Sequence, residues 1–187
     1  MSKEVELRAK INNLRKIKDR LDESDLKATE KRLIKDCAFD NPKGEFYEKG
    51  IMIRLRSIED DKHLFAYKGP SEMKEYKVRE EIELEISDPE KLKKILEQVG
   101  LQVTFEMEKM RKTYRGDGCT VELEEYPVLG SFMEIEGDPA DIEKMIDKLG
   151  MERDKFNSRS LDYYINKKEK EVGEKIELKF KKRDNKK

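Results

Sequence analysis

The segment Glu4-Val5-Glu6-Leu7-Arg8-Ala9-Lys10-Ile11 alternates without a fault. A strand reverses side-chain direction at every residue, so Val5, Leu7, Ala9 and Ile11 share one face and Glu4, Glu6, Arg8 and Lys10 the other. The period returns along the chain. Ile51, Ile53 and Leu55 oppose Arg54 and Arg56; Val78, Ile82, Leu84 and Ile86 oppose Arg79, Glu81, Glu83 and Glu85; Met133 and Ile135 alternate with Glu134 and Glu136. Strands are predicted over 3–11, 26–40, 50–59, 62–69, 74–87, 102–115, 118–125 and 131–137, with Asp117-Gly118 as a hairpin turn. Three short helices interrupt them. One covers residues 12–21, with Leu14, Ile17 and Leu21 at helical spacing. Asp88-Pro89 opens a second, striped by Leu92, Ile95, Leu96 and Val99 and stopped by Gly100. Asp138-Pro139 opens a near copy 50 residues later, with Ile142, Met145, Ile146 and Leu149 before Gly150.

Strands with a few helices between them predict an α+β, mainly β fold: an eight-stranded antiparallel closed β-barrel with short flanking helices. The 187 residues fit one domain, 1–165, followed by a charged C-terminal tail, 166–187, either disordered or adding one strand at 176–180. Apolar residues make up 35% of the chain and charged residues 45%, so a fold with an unusual amount of polar surface is expected, including a polar interior.

Charge narrows the partners. The 42 basic and 43 acidic residues nearly cancel, which argues against a dedicated nucleic-acid or anionic-membrane binder. The chain opens without the apolar core of a signal peptide, and no run is long enough to span a bilayer. Cys37 and Cys119 have no metal-ligand spacing and fit a reducing compartment, so a cytoplasmic location is expected. His63 is the single histidine, which excludes His-based triads and His-rich zinc sites, and no Gly-rich phosphate loop is present.

The repeated charged faces admit two readings. They are either the solvated exterior of a barrel with an apolar core or the lining of a polar interior. Residue choice favours the interior. Of Arg8, Lys10, Arg54, Arg56, Lys68, Arg79, Lys109 and Arg111, five are arginine, against 12 of the 42 basic residues chain-wide. Arginine offers the planar fork that grips phosphate or carboxylate. Paired carboxylates in the same interior would hold a divalent cation against phosphate oxygens, as Mg²⁺ prefers.

These residues resemble the CYTH superfamily, the triphosphate tunnel metalloenzymes, over residues 4–165. The resemblance rests on Glu4-x-Glu6-x-Arg8, Leu55-Arg56, Lys68-Gly69-Pro70, Glu108-Lys109-Met110-Arg111, the run from Leu129 to Glu136, and Arg159-Ser160. It implies an eight-stranded tunnel that binds a triphosphate with Mg²⁺ or Mn²⁺. Glu6 and Glu134 would be metal ligands, helped by Glu4, Glu124 and Glu136. Arg8, Lys10, Arg56, Lys68, Lys109 and Arg111, with Arg54 and Arg79, would grip the phosphates, and Arg8, Lys10, Lys68, Lys109 and Arg111 would be the catalytic cations. The family includes class IV adenylyl cyclases, thiamine triphosphatases, inorganic tripolyphosphatases and RNA triphosphatases. The run Lys35-Asp36-Cys37-Ala38-Phe39-Asp40 is most similar to the cyclase branch. The chain departs from the family pattern at Arg8, where lysine is usual, at Ala38, where cyclases tend to have tyrosine, and at Leu161, where tyrosine often follows Arg-Ser.

The expected activity is therefore a metal-dependent enzyme resembling class IV adenylyl cyclase, acting as a monomer or homodimer on ATP. Hydrolysis of tripolyphosphate or thiamine triphosphate is the alternative, and a non-catalytic polyphosphate- or nucleotide-binding module is the third reading.

Overall fold

The computed structural model describes residues 2–59 and 61–181. Its strands are β1 (Ser2–Ile11), β2 (Lys27–Ala28), β3 (Arg32–Asp40), β4 (Met52–Ile58), β5 (Lys62–Lys68), β6 (Glu72–Met73), β7 (Lys77–Ile86), β8 (Gln102–Gly116), β9 (Cys119–Tyr126), β10 (Gly130–Gly137) and β11 (Phe156–Asn157). The helices are α1 (Leu14–Asp22), α2 (Glu45–Glu48), α3 (Pro89–Gln98), α4 (Pro139–Lys148) and α5 (Leu161–Val172). Antiparallel pairing runs β1-β10-β9-β8-β3-β4-β5-β7, and β7 returns to β1 with Arg79 opposite Glu4 and Lys77 opposite Glu6. That last pairing closes an eight-stranded barrel, as the alternation predicts. The short strands β2, β6 and β11 attach to β8, β7 and β1.

The barrel is inverted relative to one with an apolar interior. Its apolar faces point outward and are covered by helices. Leu7, Ala9, Val121 and Ile135 pack against Ile17 and Leu21 of α1 and against Ile142 and Met145 of α4. Phe39, Leu55 and Phe65 pack against Leu92 and Leu96 of α3. The two similar helices thus do the same work on different sides of the barrel. Their caps differ: the Asp88 side chain accepts from the Lys91 amide at 2.9 Å, whereas Asp138 makes no such bond. Part of the outer wall stays bare, and Ile82 and Leu84 of β7 are exposed.

The hairpin joining β8 to β9 is built as its sequence requires. Asp117 and Gly118 both take positive φ, 51° and 73°, the two left-handed positions of a type I′ turn. A Cβ at Gly118 would lie 2.4 Å from Asp141 Oδ2, so any other residue would have to displace the Asp141 carboxylate as well as adopt a strained left-handed conformation.

Three sequence expectations change. The strand predicted over 26–40 breaks into β2 and β3, and that predicted over 74–87 starts only at Lys77. Helix α5 runs through the boundary drawn between residues 165 and 166. Leu161, Tyr164 and Ile165 dock on Tyr126, Phe132 and Met107, side chains of the barrel's inner face. Residues 176–180 pass over the same end: Leu178 makes a parallel bridge to Met107, and its carbonyl accepts from the Glu108 amide at 2.6 Å. The rest of the charged tail, 182–187, lies outside the described residues. Among the described residues no helix is long and apolar enough to cross a membrane.

Leu7 is fully buried at the centre of the largest apolar cluster. Leu7→Ala should cost about 3 kcal/mol of unfolding free energy in a urea titration. A loss under about 1 kcal/mol would show that the outward apolar face is not the core.

Candidate active site

Every barrel strand sends its even or odd residues into one cavity of about 1050 Å³. β1 contributes Glu4, Glu6 and Arg8; β4 contributes Arg54 and Arg56; β7 contributes Lys77, Arg79, Glu81 and Glu83. β8 adds Lys109 and Arg111, β9 adds Glu122 and Tyr126, and β10 adds Glu134 and Glu136. A charge buried alone costs several kcal/mol, so the lining has to neutralise itself. It does so pair by pair. Arg56 forms a bidentate bridge to Asp36 at 2.7 and 2.8 Å. Lys68 lies 3.0 Å from Glu4 and 2.7 Å from Glu81. Lys77 meets Glu6 at 2.5 Å, and Arg8 donates to Glu134.

Glu124 organises the far wall. It is fully buried behind the lining; its Oε1 accepts from Lys109 Nζ at 2.5 Å and from Arg111 Nε and Nη2 at 2.9 and 2.5 Å. Its Oε2 accepts from the Tyr126 hydroxyl at 2.5 Å, and Arg111 Nη1 reaches on to Glu122 at 2.7 Å. Burial alone would push the Glu124 carboxyl up, but Lys109 and Arg111 outweigh it and hold it well below the usual range. Asp36 behaves alike beside Arg56. Glu134 goes the other way, pushed up by burial and by Glu124 and Glu6 against the pull of Arg8. Burial, together with Glu4, Glu122 and Glu6, raises Glu136 to about 7.

Not every buried donor finds a partner. Arg8 Nε and Nη1, Arg54 Nε and Arg79 Nε are buried without a hydrogen bond among the described residues. Such orphan donors cost free energy unless something anionic arrives to accept from them. Near them, Glu122, Glu124 and Glu134 each place a carboxylate oxygen within 4.8 Å of the others, an all-oxygen donor set of the kind a hard divalent cation takes.

Twelve of the thirteen residues singled out from sequence come together in or directly behind this cavity: Glu4, Glu6, Arg8, Arg54, Arg56, Lys68, Arg79, Lys109, Arg111, Glu124, Glu134 and Glu136. Lys10 does not. It follows the same alternation, but it is exposed near the end of β1, with its ammonium 5.9 Å from the Phe132 ring centroid, and lies outside the lining. Sequence reasoning missed Asp36, Lys77, Glu122 as a site carboxylate, Tyr126 and Asp162, all in the lining. Lys77 was within reach, being two residues before Arg79 on the same face. Outside the site, burial raises the Cys37 and Cys119 thiols to about 11, far from nucleophile chemistry. His63 pairs with Ser57 at 2.9 Å, away from the cavity.

A model of the CYTH domain family matches residues 2–160. A protein of Methanocaldococcus jannaschii named "putative adenylate cyclase" is 32% identical over 139 residues, 74% of this chain and 79% of that one. A solved structure from Pyrococcus horikoshii is 29% identical with a TM-score of 0.71, covering 88% of this chain and 99% of its own. A Hippeastrum "putative adenylyl cyclase", described as revealing a dominant triphosphatase activity, is 19% identical with a TM-score of 0.67, over 95% and 99% of the two chains.

The raised carboxyls set a pH dependence. A divalent cation needs them deprotonated. Mg²⁺ or Mn²⁺ should therefore raise the thermal midpoint more at pH 8 than at pH 6, because Glu136 takes up its proton near 7 and Glu134 also above the ordinary range. In the protein without metal the sign reverses: a raised folded-state pKa makes these two groups' contribution to stability grow as pH falls from above 7 toward ordinary carboxylate values. An equal metal-induced shift at both pH values would contradict the assignment.

Proposed function

The chain belongs to the CYTH family, and from that premise we infer that it is a divalent-metal-dependent enzyme that processes an organic triphosphate, with ATP conversion to cyclic AMP and pyrophosphate as the leading reaction. One observation carries this reading: the guanidiniums of Arg8, Arg54 and Arg79, each with a buried nitrogen lacking a partner among the described residues, line a tunnel that also holds a cluster of carboxylates. A polyanion with a metal satisfies both, and neither alone does.

The residues fit the metal that the family implies. Glu6 and Glu134, with Glu122 and helped by Glu4, Glu124 and Glu136, would hold Mg²⁺ or Mn²⁺, and Glu124 also anchors Lys109, Arg111 and Tyr126. When bound, the cation supplies Lewis-acid stabilisation of charge on phosphoryl oxygens. The chain's own groups do the rest. Arg8, Arg54 and Arg79 line the tunnel and would turn their unpartnered donors to non-bridging oxygens. Lys109 and Arg111 are preorganised by Glu124, and Arg56 by Asp36, so they meet developing negative charge without reorganising. In the cyclase the ribose 3′-hydroxyl attacks the α-phosphorus, the bond to the bridging oxygen breaks, and pyrophosphate leaves as the hydroxyl proton passes to solvent. Arg8, in place of the family's lysine, holds charge there and carries no proton away.

The nucleotide reading draws support from Phe105. It is the cross-strand partner of Ala38, and both line the cavity, so an aromatic ring stands beside the position where cyclases tend to have tyrosine. Hydrolysis of a terminal phosphate is the second reading, favoured by the triphosphatase activity described for the Hippeastrum relative.

Incubation with Mg²⁺ or Mn²⁺ and ATP, tripolyphosphate or thiamine triphosphate, followed by product separation, decides between them. Cyclic AMP with pyrophosphate is the expected outcome; orthophosphate instead supports the hydrolase. Arg111→Ala should lower kcat/KM by roughly a hundredfold or more. Absence of turnover on all three substrates would leave a binding module and refute the enzyme.

A further inference from the structure

At the α5 end the lining holds a carboxylic acid that plays none of these roles. Asp162 lies in the first turn of α5 and faces the cavity beside Ser160 and Leu161. Its position is fixed by its neighbours: Leu161, Tyr164 and Ile165 pack against Tyr126, Phe132 and Leu178, and the Tyr164 hydroxyl is 3.1 Å from Asn157 Nδ2. Among the described residues Asp162 has no hydrogen-bond or ion-pair partner. The charges it feels are all cationic: Lys77, Arg8 and Arg79. Two of those three carry unpartnered donors.

This differs from the carboxylates that pair with the cations of the wall. Asp36 and Glu124 occupy donors, and Glu4, Glu6 and Glu134 each hold a cation. Asp162 lowers the positive potential at Lys77, Arg8 and Arg79 but leaves their donors open. In a cavity of low dielectric such a charge acts strongly on any second anion nearby. Burial raises its carboxyl, consistent with a group that pairs with nothing and so remains felt by whatever enters.

We propose that Asp162 is a specificity-determining residue that limits how much negative charge the tunnel holds at its α5 end, keeping a phosphate chain from binding too tightly to Lys77, Arg8 and Arg79. The proposal rests on the reading of the tunnel as a triphosphate site.

Calorimetric titration of the full chain with inorganic tripolyphosphate, in Mg²⁺ at pH 8 and fixed ionic strength, tests it. Asp162→Asn should bind roughly tenfold tighter than the native chain. Asp162→Ser should show the same gain, and Asp162→Glu, which keeps the charge, should stay within about twofold of native. Native binding with no gain in either neutral variant overturns the role of Asp162 and leaves the triphosphate site standing. Weaker binding in both overturns it too, and makes Asp162 a contributor to cation binding. If the native chain binds no tripolyphosphate, the triphosphate reading fails and this inference with it.

Discussion

Charge buried inside a closed barrel has to be neutralised, and nearly every feature of this protein follows from that constraint. With polar faces turned inward, the strands have little apolar interior to hold them together beyond the cluster around Phe132 beneath α5. The hydrophobic stabilisation comes from outside, where α1, α3 and α4 cover Leu7, Val121, Ile135 and Phe39. Inside, cations and carboxylates are matched. Breaking such a buried pair by removing one partner costs on the order of 3–5 kcal/mol, because the other charge is left stranded. The lining is therefore stable as a set and intolerant of single losses.

The set is not uniform. Asp36 and Glu124 are held by several donors each and keep their charge far below ordinary carboxylate pH, which makes them fixed anchors for Arg56, Lys109 and Arg111. Glu134 and Glu136 are raised, first by burial and then by the carboxylates around them. A carboxylate that is poorly satisfied by its own protein is the one that gains most from a metal ion. Lys77 holds Glu6, Lys68 holds Glu4 and Arg8 holds Glu134; under the proposed function, phosphate would take these cations and metal the carboxylates.

The barrel was legible in the sequence because inward and outward residues alternate with a period of two over most strands. The opening octet placed Glu4, Glu6 and Arg8 correctly. It misplaced Lys10 because alternation fixes a face and says nothing about where a strand passes beyond the rim. Asp36 went unseen as a site member because its pairing with Arg56 depends on the adjacent strand, and Tyr126 because a lone tyrosine at a strand end does not show that its hydroxyl bonds Glu124 two residues back on the same face. Helix α5 was hidden by its own composition. Leu161, Tyr164 and Ile165 form its contact face, and the lysines and glutamates that follow read as a solvated tail. That helix carries Asp162, so the least legible element closes one end of the site.

The most direct measurement of the central claim is calorimetric titration of the native chain with tripolyphosphate, once with Mg²⁺ in excess and once in EDTA. If the ion pairs of the empty tunnel are exchanged for a metal and phosphates together, binding is tight with Mg²⁺ and at least tenfold weaker in EDTA. Equal affinity in the two buffers would contradict the account, since it would show the carboxylates of the tunnel wall taking no part in binding.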